Sequence, residues 1–155
     1  MRIELELLGE RPEFLPILAQ WYFDEWGELT KTVSPQAMEQ RLQEYLNIDR
    51  IPLVVTASNE GVLLGAVQLK YREMSIYPEK EHWIGGVYVG VAYRNQGLAA
   101  KIIERTVQLA QSFGVKTLHL QTLRKDGGLY SRLGWHSVEE VNYRGIDVLV
   151  MERNI

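Results

Sequence analysis

Apolar and charged residues alternate across residues 2–8, with Ile3, Leu5 and Leu7 on one side of a two-residue period, which predicts a half-buried strand. Pro12 suits the first turn of a helix running to about Trp26, and Gly27 stands where that helix would stop. Ser34 and Pro35 form an N-cap and first-turn pair for a second helix, SPQAMEQRLQEYLN. LVVTAS after Pro52, and VLLGAVQLKY after the Asn59-Glu60-Gly61 turn, predict a hairpin of strands two and three. A polar connector from Arg72 to Glu81 then leads into WIGGVYVGV, a fourth strand.

The periodicity is strongest after Gly97. Leu98, Ile102, Ile103, Val107, Ala110 and Phe113 recur at three- and four-residue spacing, while Lys101, Glu104, Arg105, Gln108 and Gln111 fall elsewhere on the helix. Gly114 occupies the position of a left-handed terminator. VKTLHLQT predicts a fifth strand, GLYSRLG a short helix, and WHSVEEVNY with GIDVLVMER a closing hairpin that turns at Arg144-Gly145. The order is β-α-α-β-β-β-α-β-α-β-β, with no internal repeat, low-complexity segment or long linker. Residues 1–155 read as a single domain.

Composition removes several function classes. Hydrophobic residues make up 46% and charged residues 24%, the balance of a soluble globular chain with a sizeable core. Seventeen basic against twenty acidic residues give a net charge of -3 without any long basic run, which argues against nucleic-acid binding. The absence of cysteine excludes disulfides and a thiol nucleophile. MRIELELLGERP lacks the basic and apolar blocks of a signal peptide, and no apolar run approaches the roughly 18 residues that cross a bilayer. The expectation is a cytoplasmic protein with no membrane partner and no metal.

The join VYVGVAYRNQGLAAKIIERTVQLA carries the chemistry. It begins as a strand and ends as an amphipathic helix, with Arg94, Asn95, Gln96 and Gly97 between. A helix N-terminus presents unpaired N–H groups and the positive end of the helix dipole, so it holds anions. Gly97 and Ala99 keep that end accessible, while Arg94 and Lys101 add positive charge. Residues 95–100 read as a cradle for a pyrophosphate; the competing reading has Gly97 and Ala99 serve only close packing of helix on sheet. Neither a P-loop nor a G-x-G-x-x-G after a strand occurs.

Arg94-Asn95-Gln96-Gly97-Leu98-Ala99 resembles the R/Q-x-x-G-x-G/A signature of the GNAT acyltransferase superfamily, and LYSRLGW, residues 129–135, resembles its second signature. The order of elements is similar over essentially the whole chain. The resemblance implies an α/β (α+β) fold with a central mixed, mostly antiparallel sheet of about seven strands and helices on both faces. It implies acetyl-CoA as acyl donor, splayed fourth and fifth strands, and pairing of the pantetheine arm with Val87, Tyr88 and Val89, one of whose N–H groups polarises the thioester carbonyl. The N–H groups of Asn95, Gln96, Gly97, Leu98, Ala99 and Ala100 would hold the pyrophosphate. Homodimers are common among similar proteins.

Tyr130 matches the tyrosine that serves many similar proteins as general acid; a plain core aromatic is the alternative. Glu81, His82 and His119 are candidates for the base that neutralises the amine, and a water chain is another. Leu123 stands where many similar proteins place a cofactor-binding asparagine, with Thr122 beside it as a substitute. In WYFDEW, residues 21–26, the ~100° step per helical residue keeps Trp21, Tyr22, Phe23 and Trp26 from sharing one core stripe, so part of the set lines a groove or contact. Asp24 and Glu25 would attract a cationic amine there, or form a solvated acidic pair. Tyr71, Tyr77 and Trp83 allow the same two readings. The function expected is N-acetyl transfer to a small amine or a protein N-terminus; a non-catalytic acyl-CoA sensor or interaction module on the same fold is the alternative.

Overall fold

A computed structural model describes all residues 1–155. Seven strands form one sheet in the order β1-β2-β3-β4-β5-β7-β6. They are β1 (Glu4–Leu7), β2 (Leu53–Asn59), β3 (Val62–Tyr71), β4 (His82–Val89), β5 (Thr117–Thr122), β6 (His136–Tyr143) and β7 (Ile146–Asn154). Neighbours run antiparallel except β4 and β5, which are parallel and register only at Trp83 and His119. Beyond that pair the two strands part, as the resemblance implies. The hairpin from Asn59 to Val62 and the Arg144-Gly145 turn both place positive-φ residues where the chain reverses.

The helices are α1 (Leu15–Trp26), α2 (Pro35–Leu42), α3 (Leu98–Ser112) and α4 (Gly128–Arg132). Ile102, Ile103, Val107 and Ala110 of α3 bury against Val55, Val67 and Leu69 on one face of the sheet. Leu15, Leu18 and Tyr22 of α1, with Met38 and Leu42 of α2, bury against Val54 and Ala66 on the other. Strand alternation thus feeds two cores from one sheet. A third cluster joins Met74, Tyr77 and Trp83 to Val148 and Val150, so the connector 72–81 covers the far half of the α1–α2 face.

Two helix boundaries differ from the sequence reading. Pro12–Phe14 form a 3-10 turn ahead of α1, and α2 stops at Leu42, where Gln43–Tyr45 tighten into another 3-10 turn. Leu46 then bridges to Leu53, so sheet pairing ends the helix before its apolar period does. Gly27 caps α1 with a right-handed φ of −57°, and a side chain there would press on the Phe23 ring 2.9 Å away. Gly114 does take the left-handed conformation, at φ +84°. No helix is long and apolar enough to cross a membrane.

Candidate active site

Past the point where β4 parts from β5, the end of β4 and the start of α3 enclose a cavity of about 480 Å³. Val87, Tyr88 and Val89 form one wall, and Arg94, Asn95, Gly97, Leu98, Ala99 and Ala100 form another. Asn95 and Gly97 are both left-handed, at φ +64° and +78°, and α3 starts immediately after them. No backbone N–H from Asn95 to Ala100 donates within the chain; the first helical bond is Lys101 N–H to Gly97 O at 3.3 Å. A Cβ on Gly97 would meet nothing within 4 Å. Close packing therefore does not explain this glycine; its handedness and the open face above it do.

The side chains around the cradle divide differently from the sequence reading. The Arg94 guanidinium lines the cavity but is held back on β4, where Nε donates to Val89 O at 2.8 Å and the group lies 5.2 Å from the Tyr88 ring centroid. Gln96 and Lys101 are exposed and line neither cavity. Arg132, from the last turn of α4, lines the cavity instead. Its signal in the sequence is its place two residues after Tyr130 on the same short helix.

A second, larger groove of about 790 Å³ adjoins the first, and Val87, Glu25 and Trp26 line both. Its floor is Gln68, Lys70 and Glu73 from β3 and the turn after it, Gly85 and Gly86 from β4, and Tyr130 from α4. Lys70 Nζ donates to Glu73 Oε1 at 3.2 Å and to Gln68 Oε1 at 3.3 Å. Burial works against the Lys70 ammonium, yet the Glu73 carboxylate and Tyr45 outweigh it and hold its pKa above the ordinary lysine value. Glu73 Oε1 lies 2.7 Å from where a Cβ on Gly85 would stand, so its carboxylate rests against the β4 backbone.

Tyr130 is half-buried, with its ring 6.3 Å from that of Trp135 in an edge-on contact. Burial, and then the charge of Glu73, push its phenol up to about 12, so it carries its proton across the neutral range. Thr122 and Leu123 both line the groove; the Thr122 oxygen accepts the Arg124 N–H at 3.2 Å.

The three candidates for the base lie away from both cavities' linings. Glu81 pairs with Arg72 at 3.4 Å on the surface, and His82 packs on Tyr71. His119 is buried beside Trp83, with Nε2 3.1 Å from Glu152 and Nδ1 3.3 Å from His82 O. Burial, more than any other influence, lowers its pKa. Glu73 lines the groove together with Glu25 and Glu28; in the sequence it was one polar residue of the 72–81 connector.

WYFDEW resolves into distinct duties. Tyr22 is buried, Trp21 and Trp26 pack on Tyr88 at 5.3 and 6.0 Å, and Glu25 faces both cavities. Asp24 is exposed outside the groove and accepts from Gln20 at 2.8 Å. Tyr77 and Trp83 are core residues, with Tyr77 Oη donating to Glu139, while Tyr71 stays exposed. Tyr143, from the closing hairpin, lines the groove in their place.

A family model described as the acetyltransferase (GNAT) family matches residues 15–135. Among solved structures, the chain is similar to an aminoglycoside 6'-acetyltransferase type Ii, at 17% identity over 99% of this chain and 97% of that one, with a TM-score of 0.75. It is similar to an aminoglycoside 6'-N-acetyltransferase complexed with coenzyme A, at 16% identity over 99% and 97%, TM-score 0.75. A ribosomal-protein-alanine N-acetyltransferase from Brucella melitensis matches at 17% identity over 100% of both chains, again with a TM-score of 0.75. At these identities the likeness is one of fold. No curated protein matches the sequence.

Proposed function

The chain belongs to the GNAT acetyltransferase family, and from that premise we propose that it moves acetyl from acetyl-CoA to a primary amine by direct attack in a ternary complex. The acceptor is a small amine or a protein N-terminus. One observation carries the reading: a cavity walled by unpaired N–H groups meets a groove floored by ionisable side chains, and Val87 belongs to both.

Each residue then has a chemical duty. The N–H groups of residues 95–100 hold the pyrophosphate, with Arg94 and Arg132 adding charge. Val87, Tyr88 and Val89 pair with the pantetheine arm, and a strand N–H receives the charge that builds on the thioester oxygen. The thioester supplies the activated acyl group when bound. Glu73 takes one proton from the entering ammonium and passes it to solvent, leaving a lone pair free to attack. As the C–N bond forms and the C–S bond breaks, Tyr130 donates its proton to the departing sulfur and regains one from the new amide nitrogen. No cysteine exists to carry the acyl group, which supports one direct transfer.

The test is thiol release from acetyl-CoA over a panel holding a polyamine, an aminoglycoside, an amino acid and a peptide N-terminus. At least one should be acetylated. Tyr130→Phe should lower kcat by roughly 10²-fold, and Glu73→Gln should lower it too, while acetyl-CoA affinity survives in Tyr130→Phe. A protein that binds acetyl-CoA, acetylates nothing and ignores Tyr130→Phe is a sensor rather than an enzyme.

A further inference from the structure

The point where the two cavities meet is a bulge in β4. Against β3, Ala66 faces Tyr88 while Gln68 faces Gly85, so β4 spends one extra residue across Gly86 and Val87. Gly86 is left-handed there, at φ +53°. Its carbonyl accepts a hydrogen bond at 2.6 Å from the hydroxyl of Tyr22, a residue 64 positions away on α1. The fit is close: a Cβ on Gly86 would lie 2.7 Å from Gln68 Cδ and 2.8 Å from Tyr22 Oη.

The Gly86 carbonyl and the Val87 N–H belong to one peptide plane. In a trans peptide they point in opposite directions, so fixing one fixes the other. Bulges turn such planes easily because the ladder is interrupted there. Tyr22 is itself fixed, being 2% exposed and packed on Trp26 at 5.4 Å. We infer that Tyr22 is a positioning residue for acyl transfer, whose hydroxyl locks the Gly86–Val87 peptide so that the Val87 N–H is aimed at the thioester carbonyl. The inference rests on the acyl-CoA reading and adds to it the side chain that holds the polarising strand N–H in place. Val87 is the choice because, of the three strand residues, it alone lines both cavities.

Isotope-edited infrared spectroscopy of bound acetyl-CoA, labelled with 13C at the thioester carbonyl, reads the polarisation without an acceptor, and kcat is read with an amine that the panel shows to be acetylated. In the wild type the carbonyl band should lie below its position in water. In Tyr22→Phe, which keeps the ring and removes only the hydroxyl, it should move back toward that position, with acetyl-CoA affinity within about 2-fold and kcat down by roughly 10-fold, less than the ~10²–10³ for deleting such a donor outright. A band and a kcat unchanged by Tyr22→Phe overturn the inference. So does a wild type that binds acetyl-CoA with its carbonyl at the free position. If Tyr22→Phe does not fold, Gln68→Met, which strips the Tyr22 hydroxyl of its amide neighbour, should shift the band the same way by less; no shift there also overturns it. A wild type that binds no acetyl-CoA strikes the family-based reading instead.

Discussion

Gly97 shows how much one residue settles. Its φ of +78° costs an L-residue about 1–2 kcal/mol, yet nothing within 4 Å would obstruct a Cβ. Gly97→Ala should therefore lower stability by about 1–2 kcal/mol without disturbing the core. Gly97→Glu adds to that strain a carboxylate over the unpaired N–H groups that, under the proposed function, receive the pyrophosphate. Titration calorimetry should find acetyl-CoA binding lost while circular dichroism still reports a folded chain. Retained binding would mean that the pyrophosphate lies elsewhere. Glu73 makes the opposite case: nothing local marks it, since only the path of the connector brings it to Gly85.

At the scale of elements, α1 is docked onto β4 by aromatic contacts and one hydrogen bond rather than by its apolar stripe alone. Trp21 and Trp26 both pack on Tyr88, and the Arg94 guanidinium lies near the same ring. This ties the groove beside α1 to the cavity at the start of α3 through a single strand. At the other end of β4, His119 links β4 to β5 and β7. Burial is the largest influence on His119 and lowers its pKa from the ordinary histidine value, against the opposing pull of the His82 carbonyl and Glu152. A depressed folded pKa means that the unfolded chain binds the proton more readily. Its contribution to stability is thus present above a pH of about 6.5 and is lost as pH falls through the folded value. Melting temperature should drop between pH 7 and pH 5, and His119→Gln should flatten part of that drop. An identical slope in the variant would assign the acid loss to other groups.

For the whole molecule, the decisive feature is a sheet that holds together at Trp83 and His119 and opens beyond them. Both cores continue past the opening, α3 on one face and α1 with α2 on the other, so the gap is braced from both sides. A ligand that fills it should bind the native state alone. At about 100 times its dissociation constant such a ligand adds roughly 2.7 kcal/mol, a rise of roughly 5 to 10 °C for a domain of this size. Differential scanning fluorimetry should show that rise with acetyl-CoA and with free CoA, and none with ATP. No rise with either CoA species would leave residues 95–100 as a turn without a ligand.

The element order, the start of α3 after Gly97 and the placement of Tyr130 on a short helix are legible in local periods, caps and turn residues, which act within a few positions along the chain. Helices on both faces of the sheet are what the resemblance to the family implies. The sequence did not determine which carboxylate or histidine reaches the groove. Glu81 and His82 stand just before or at the start of β4 and His119 stands on β5, whereas nothing in the sequence singles out Glu73, and a histidine looks the same in sequence whether a groove or a core receives it. Nor did it show that Arg132 faces the cradle, or that Tyr22 reaches Gly86 across 64 positions. Those contacts arise where β4 bulges, β5 diverges and α1 packs across the sheet. The tertiary structure decided them, since they depend on elements distant in sequence meeting at one point.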